Sequence, residues 1–224
     1  MIIPCIDLME GKVVQLVQGR EKALEGDAPL AMLAKFAAFP EIQVIDLDAA
    51  MGRGENRSLV ELLASRAKCR VGGGVRTAER ARQLVELGAH RVIVGTAAFT
   101  PVIEEIAAAV GAEKILIALD SKHGKIVVKG WQESTEFTAE EVIARLEPFC
   151  RGFLCTYVDK EGMMQGTDLE WFRRLRATTS HEITAAGGIT TIEEIRALQA
   201  MDIDAALGMA IYTGRLDLGD LKDE

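Results

Sequence analysis

VGGGVRTAERARQLVELGAHRVIVGTAAF, residues 71–99, contains one full period of an alternating architecture. An apolar β-type run, Cys69–Val71, breaks at glycines. A Thr followed closely by Glu79 then opens an amphipathic stretch over Thr77–Leu87, as a capped helix should, and a second apolar run, Arg91–Val94, ends at Gly95. The same alternation runs outward in both directions. Strands are expected at Ile2–Ile6, Gln43–Leu47, Cys69–Val71, Arg91–Val94, Lys114–Leu119, Gly152–Val158, Glu182–Ala185 and Ala205–Leu207. Helical periodicity separates them at Thr77–Leu87, Pro101–Val110, Thr138–Leu146 and Thr191–Ala200. Eight βα units without an intervening linker predict an α/β protein, a (β/α)8 TIM barrel, lean for that fold and with a short final helix after Leu207.

The quoted stretch also recurs. AAGGITTIEEIRALQAMDIDAALGMAIY, residues 185–212, repeats its glycines, its Thr and its second glycine. Asp7 and Asp120, Asp46 and Asp159, Asp48 and Glu161, and Gly95 and Gly208 are each 113 residues apart, and Gly73–Gly74 returns at Gly187–Gly188 after 114. Features that agree in order, spacing and strand position point to an internal repeat. The expectation is a single domain over 1–224 made of two duplicated half-barrels, roughly 1–112 and 113–224.

Composition limits what such a barrel does. With 49% apolar residues the 224-residue chain fills a large core, and a formal charge of -8 argues against a nucleic-acid surface. No run approaches the roughly 20 apolar residues of a membrane span, and the first residues carry no charged leader, so the expectation is a cytoplasmic protein. Cys5, Cys69, Cys150 and Cys155 lack paired spacing, and His90, His123 and His181 share no ligand spacing, so neither a metal nor a cofactor is expected.

In a parallel barrel the C-terminal strand ends line the active face. Asp7, Asp46, Asp120, Asp159 and Glu161 all fall there. An isolated Asp at such a place usually caps the next helix, but the repeat puts Asp7 and Asp120 on opposite walls. Two carboxylates facing one substrate suit paired acid and base work, one taking a proton from carbon and the other giving one to oxygen. The glycines Gly73, Gly74, Gly95, Gly187, Gly188 and Gly208, with Thr96, end strands just before helices, where free N–H groups hold anions. Two such rims predict a substrate with a phosphate at each end. Arg76 and Lys12 are each open to a phosphate or to solvent, and Trp131, in a hairpin expected at KIVVKGW in the fifth βα loop, either covers a planar ring or anchors that loop.

PCIDLMEGKVVQLVQG, VIDLDAAMGRGEN, VGGGVR, VGTAAF, ALDSKHGKIVVKGW and AAGGI occur in this order, and together they resemble the phosphoribosylformimino-aminoimidazole-carboxamide ribotide (ProFAR) isomerases of histidine biosynthesis over nearly the whole chain. The resemblance implies a duplicated (β/α)8 barrel, a small bisphosphorylated substrate, and an Amadori rearrangement of an aldose to a ketose without cofactor. It makes Asp7 the general base, Asp120 the partner acid or base, and Thr156 a residue close to the substrate. The chain departs from the family pattern at Glu161-Gly162-Met163, where relatives read Asp-Gly-Thr, at Gln15, where many have Arg, and at Met209, where many are basic. Glu161 is read as a working substitute for that Asp. The chain is expected to act as a monomer without nucleic acid or membrane. Competing readings are an isomerase that also takes phosphoribosyl anthranilate and a noncatalytic phosphate-ligand binder. The sister cyclase shares both aspartates, but the IDL and KGW contexts resemble the isomerases more closely.

Overall fold

The computed structural model of the protein describes residues 1–17 and 21–222; Gln18 and Gly19, which end the first quoted motif, lie outside the described residues. Eight parallel strands form its centre: β1 (Ile2–Met9), β2 (Ile42–Asp46), β3 (Cys69–Gly72), β4 (Arg91–Val94), β5 (Ile115–Lys122), β6 (Gly152–Tyr157), β7 (Glu182–Ala186) and β8 (Asp204–Leu207). Each pairs with its sequence neighbours, and β8 pairs with β1, so the sheet closes on itself. This is the (β/α)8 barrel that the alternation predicts.

The helices follow from their caps. Thr77, Thr138 and Thr191 each accept a hydrogen bond from the backbone N–H three residues on, and Glu141 and Glu194 complete capping boxes at the second and third. Further helices at Arg57–Ala64 and Leu169–Thr178 fill the ring, and the chain closes with two short ones, Met209–Tyr212 and Leu218–Leu221. Among the described residues no helix is long and apolar enough to cross a membrane.

β1 and β5 differ from the sequence expectation in length. Both run past their aspartates, because antiparallel partners extend the ladder: Asp7 pairs with Val14 and Met9 with Lys12, while Ser121 pairs with Ile126 and Lys122 with Lys125. Two hairpins therefore rise over the C-terminal mouth, one from Lys12–Val17 and Glu21–Glu25, the other from Lys125–Val128 and Glu133–Ser134. β6, by contrast, stops at Tyr157, and Val158–Lys160 coils into a 3-10 turn.

Inward residues alternate along each strand. Cys5, Ile93, Leu116, Leu154 and Ala206 make a small inner core, while the larger core lies between sheet and helices. The closed end holds a buried guanidinium. Arg70, 1% exposed, donates to Glu41, to Thr184 Oγ1 at 2.7 Å and to Asp204 Oδ2 at 3.4 Å, linking β3 to the start of β2 and to β7 and β8. Removing one member of a buried ionic cluster strands the others, at a cost of about 3–5 kcal/mol. Arg70→Ala should lose stability on that scale in urea denaturation, with turnover per folded molecule unchanged because the cluster is at the end remote from the mouth.

Candidate active site

In the closed sheet β1 and β5 stand four strands apart in either direction, so Asp7 and Asp120 rise from opposite walls. Each lies two residues beyond an inner-core position, Cys5 and Ala118, and so shares its inward face. Thr156 is the register partner of Asp120 on the adjacent strand, and its hydroxyl hydrogen-bonds that carboxylate. Trp131 Nε1 also donates to Asp120 Oδ2, at 2.8 Å. The loop that delivers the indole has three successive left-handed residues, Lys129, Gly130 and Trp131. Two of them are not glycine, a strained geometry that persists only where the surroundings enforce it. Trp131 is thus anchored to a carboxylate as well as placed above the mouth.

The five strand-end acids divide into two kinds. Asp46 accepts from Ala49 N, Asn56 N and Asn56 Nδ2, and Asp48 accepts from Glu10 N and Asn56 Nδ2. Asp159 accepts from His123 N at 2.8 Å and faces His123 Nδ1 at 2.9 Å. These three hold loops. Asn56, which also accepts from Gly11 N, is the centre of that bracing, and no periodicity in the sequence marks it. Asp7 and Glu161 have no hydrogen-bond partner for their carboxylates among the described residues. They retain a little surface toward the mouth but are ringed by protein. Burial pushes Asp7 up from 3.8 to about 7, and burial, then the charges of Asp7 and Asp120, pushes Glu161 from 4.5 to about 7. Burial also raises Asp120, opposed by the hydrogen bonds from Trp131 and Thr156. Glu161 therefore faces Asp7 and Asp120, whereas its repeat counterpart Asp48 is spent on the β1 loop. Burial, then the charges of Asp7 and Glu161, push the Cys5 thiol up and keep it protonated.

The glycine rims differ in what they face. A side chain at Gly73 or Gly74 would strike the carbonyls of Asp46 or Ala49, at 2.1 and 2.7 Å. Gly187 and Gly188 are likewise pressed on Tyr157 and Gly166 carbonyls, at 2.5 and 2.4 Å, and all four have left-handed φ. Conformation alone thus demands glycine at these four. Gly95, in contrast, faces open space, and the Thr96 hydroxyl beside it accepts from Lys129 N at 2.8 Å. Gly208 faces the Gln15 side chain, whose Oε1 would lie 2.6 Å from an added Cβ. Of the two ambiguous cations, Arg76 donates to the Ala49 and Ala50 carbonyls and Lys12 pairs with Glu25 at 2.8 Å, so neither points a free charge at a rim. A groove of about 790 Å³ lies at the opposite end, lined in part by Arg66, Lys68, His90, Lys114 and Arg151. It is remote from the carboxylates, and the mouth is where barrels of this kind place chemistry.

The raised Asp7 carboxyl sets a stability test. Between its unfolded value near 3.8 and its folded value of about 7 the native state holds a proton that the unfolded state has lost, so stability falls as pH rises through that window. Asp7→Asn should melt higher than the parent at pH 8, and the difference should vanish by pH 3 to 4.

Residues 1–217 match the model of the histidine biosynthesis protein family. Among curated proteins the chain is 39% identical to 1-(5-phosphoribosyl)-5-((5-phosphoribosylamino)methylideneamino) imidazole-4-carboxamide isomerase of Methanocaldococcus jannaschii, over 97% of this chain and 96% of the relative. It is 37% identical to the protein of the same name from Methanopyrus kandleri, covering 100% and 98%, and 38% identical to that of Myxococcus xanthus, covering 99% and 98%.

Proposed function

The chain belongs to the histidine biosynthesis protein family, and from that premise we propose that it is the isomerase that converts ProFAR to its ribulosyl isomer. The observation that carries the reading is the pair of desolvated carboxylates on opposite walls, with Asp7 brought to about 7, where a general base is most effective near neutral pH. Protonation of the ribose ring oxygen opens the ring and leaves an iminium at C1. Loss of the C2 proton then gives an enolamine. Proton return to C1, with loss of the C2 hydroxyl proton, yields the ketose, and no atom or electron is gained from outside. Asp7 takes the C2 proton and Asp120 serves the ring oxygen, with Thr156 and Trp131 orienting Asp120 and the indole face available to the imidazole ring. The rearrangement needs only proton transfers, which side-chain carboxylates can make, and this supports a reaction without a cofactor. Four buried, unpaired cysteines support a reducing, cytoplasmic setting.

The two phosphates are assigned to the Gly73, Gly74, Gly95 and Thr96 rim and to the Gly187, Gly188 and Gly208 rim. The recurrence of long strand, hairpin and glycine rim in both halves supports duplication of 1–112 as 113–224. Neither competing reading is favoured, since the relatives carry the isomerase name alone and a binding module has no use for unpartnered, desolvated carboxylates.

A spectrophotometric assay with ProFAR tests the whole. Wild type should turn over, while Asp7→Asn and Asp120→Asn should each lose about 10²–10⁴ in kcat and still bind; near-parental turnover by Asp7→Asn overturns the base assignment. Glu161 is separated from these by single-turnover rates. Glu161→Gln should be strongly impaired and Glu161→Asp partly so, because the loop is shaped for the longer group; unchanged rates in both would make Glu161 structural.

A further inference from the structure

The groove at the closed end gathers charge of one sign in a chain that is acidic as a whole. Five of its lining residues are Lys or Arg and one, Glu113, is acidic, whereas the chain carries 26 Lys and Arg against 34 Asp and Glu. The cations come from the starts of four successive strands: Arg66 and Lys68 before β3, Arg91 opening β4 beside His90, Lys114 before β5 and Arg151 before β6. Adjacent strands lie about 4.8 Å apart, so this arc of charge spreads over about 14 Å. Part of it is already answered. Arg91 and Arg151 both pair with Glu182, at 2.5 and 2.8 Å. Arg66, Lys68 and Lys114 have no side-chain hydrogen bond or ion pair among the described residues. His90 sits in the middle of the arc. Its side chain is 41% exposed and lies 3.4 Å from Glu41 Oε1, while the other Glu41 oxygen takes the buried Arg70. Its affinity for a proton is held below the ordinary value, by partial burial first and also by the charges of Arg91, Lys68 and Arg70, against the pull of Glu41.

We propose that this groove is a second ligand site, separate from the mouth, and that it binds an oligophosphate, a run of linked phosphates either free or as the tail of a nucleotide. Ammonium and guanidinium groups are the usual partners of phosphate oxygens, and three of them here have no counter-charge. A single phosphate reaches the cations of one or two neighbouring strand starts; a linked run can meet Arg66, Lys68 and Lys114 together. The size fits a small molecule, since the groove holds about 790 Å³ and such sites run to about 300–1,000 Å³. An extended nucleic acid is disfavoured by the net charge of -8. Bound anion would also favour the imidazolium of His90, which then pairs with Glu41 and joins the ligand to the Arg70 cluster beneath the barrel. This inference is independent of the isomerase reading, because none of its residues lies at the mouth.

The three histidines supply the readout. Their ring-proton signals are followed by NMR through a pH titration, and the signal lost in His90→Gln is that of the groove. His123, on the β5 hairpin, reports the mouth, and His181, before β7 and outside the groove lining, reports general screening. Tripolyphosphate should raise the His90 midpoint saturably, while sodium chloride of equal ionic strength should not. ATP run in parallel separates the two sources: equal affinity assigns the phosphate run alone, and tighter ATP assigns a nucleotide. Lys68→Gln combined with Lys114→Gln should weaken the response about tenfold or more, as for the loss of two charge-assisted contacts, with ProFAR turnover left at the parental level. Should that double variant not fold, Arg66→Gln, at an exposed position, takes its place. A His90 response no larger than that to sodium chloride, a response confined to His123, or an undiminished response in the variants overturns the proposal.

Discussion

Closure of eight parallel strands into one barrel is the constraint from which the rest follows. Once the sheet has no edge, every second side chain points to the axis, and each height along the axis must be filled. At the closed end Arg70 fills it with a charge, ties four strand regions together and is itself satisfied by Glu41, Thr184 and Asp204. Above it Cys5, Ile93, Leu116, Leu154 and Ala206 fill a narrow apolar layer. Only at the mouth does the axis run out of packing partners, and there Asp7, Asp120 and Glu161 are carboxylates with no ion pair among the described residues. The closed end thus concentrates the stabilising charge pairs and the open end the costly groups, an arrangement common where local stability is traded for chemistry.

The two hairpins make that cost possible. A carboxylate at a strand end open to water would keep its ordinary acidity; Asp7 does not, because β1 continues to Met9 and folds back through Val14, so protein surrounds it. β5 does the same on the other side and delivers Trp131 to Asp120. The indole hydrogen bond favours the ionised form of Asp120, while Asp7 has no such support among the described residues. Two aspartates related by the repeat thereby acquire different proton affinities from their neighbours alone, which is what dividing acid and base roles between them requires.

Much of this was legible in the sequence, and the missing parts share a cause. Thr77, Thr138 and Thr191 announced their helices because a cap is a local contact within four residues. The strand ends and Asp7, Asp120 and Glu161 followed from period and repeat. So did a hairpin at KIVVKGW, but not that β1 and β5 continue unbroken past Asp7 and Asp120 into their hairpins, since the apolar pattern of a strand changes there even though the ladder goes on. Nor could spacing separate acids that brace loops from acids that stand free: Asp46, Asp48 and Asp159 differ from Asp7 only through Asn56 and His123, partners set by the tertiary fold. Arg76 likewise turned to the Ala49 and Ala50 carbonyls, a choice made by the helix that happens to end beside it.

Charge gives the last step. Each phosphate of a bisphosphate brings about -1.5 to -2 at pH 7. Two of them, entering a mouth that already holds three carboxylates, raise every carboxyl affinity for protons further, because like charges oppose ionisation. Glu161 is already pushed up by burial and then by the charges of Asp7 and Asp120 before any ligand arrives, so the three form a coupled set rather than single groups. On the isomerase reading proposed above, binding of a bisphosphate in such a site draws protons in as it proceeds, and the approach of the substrate itself supplies the acid for ring opening. On the same reading the rims hold phosphate with neutral donors, amides and hydroxyls, as much as with cations, since a cation placed beside the carboxylates would return them to their ordinary acidity and remove the proton that the proposed reaction uses.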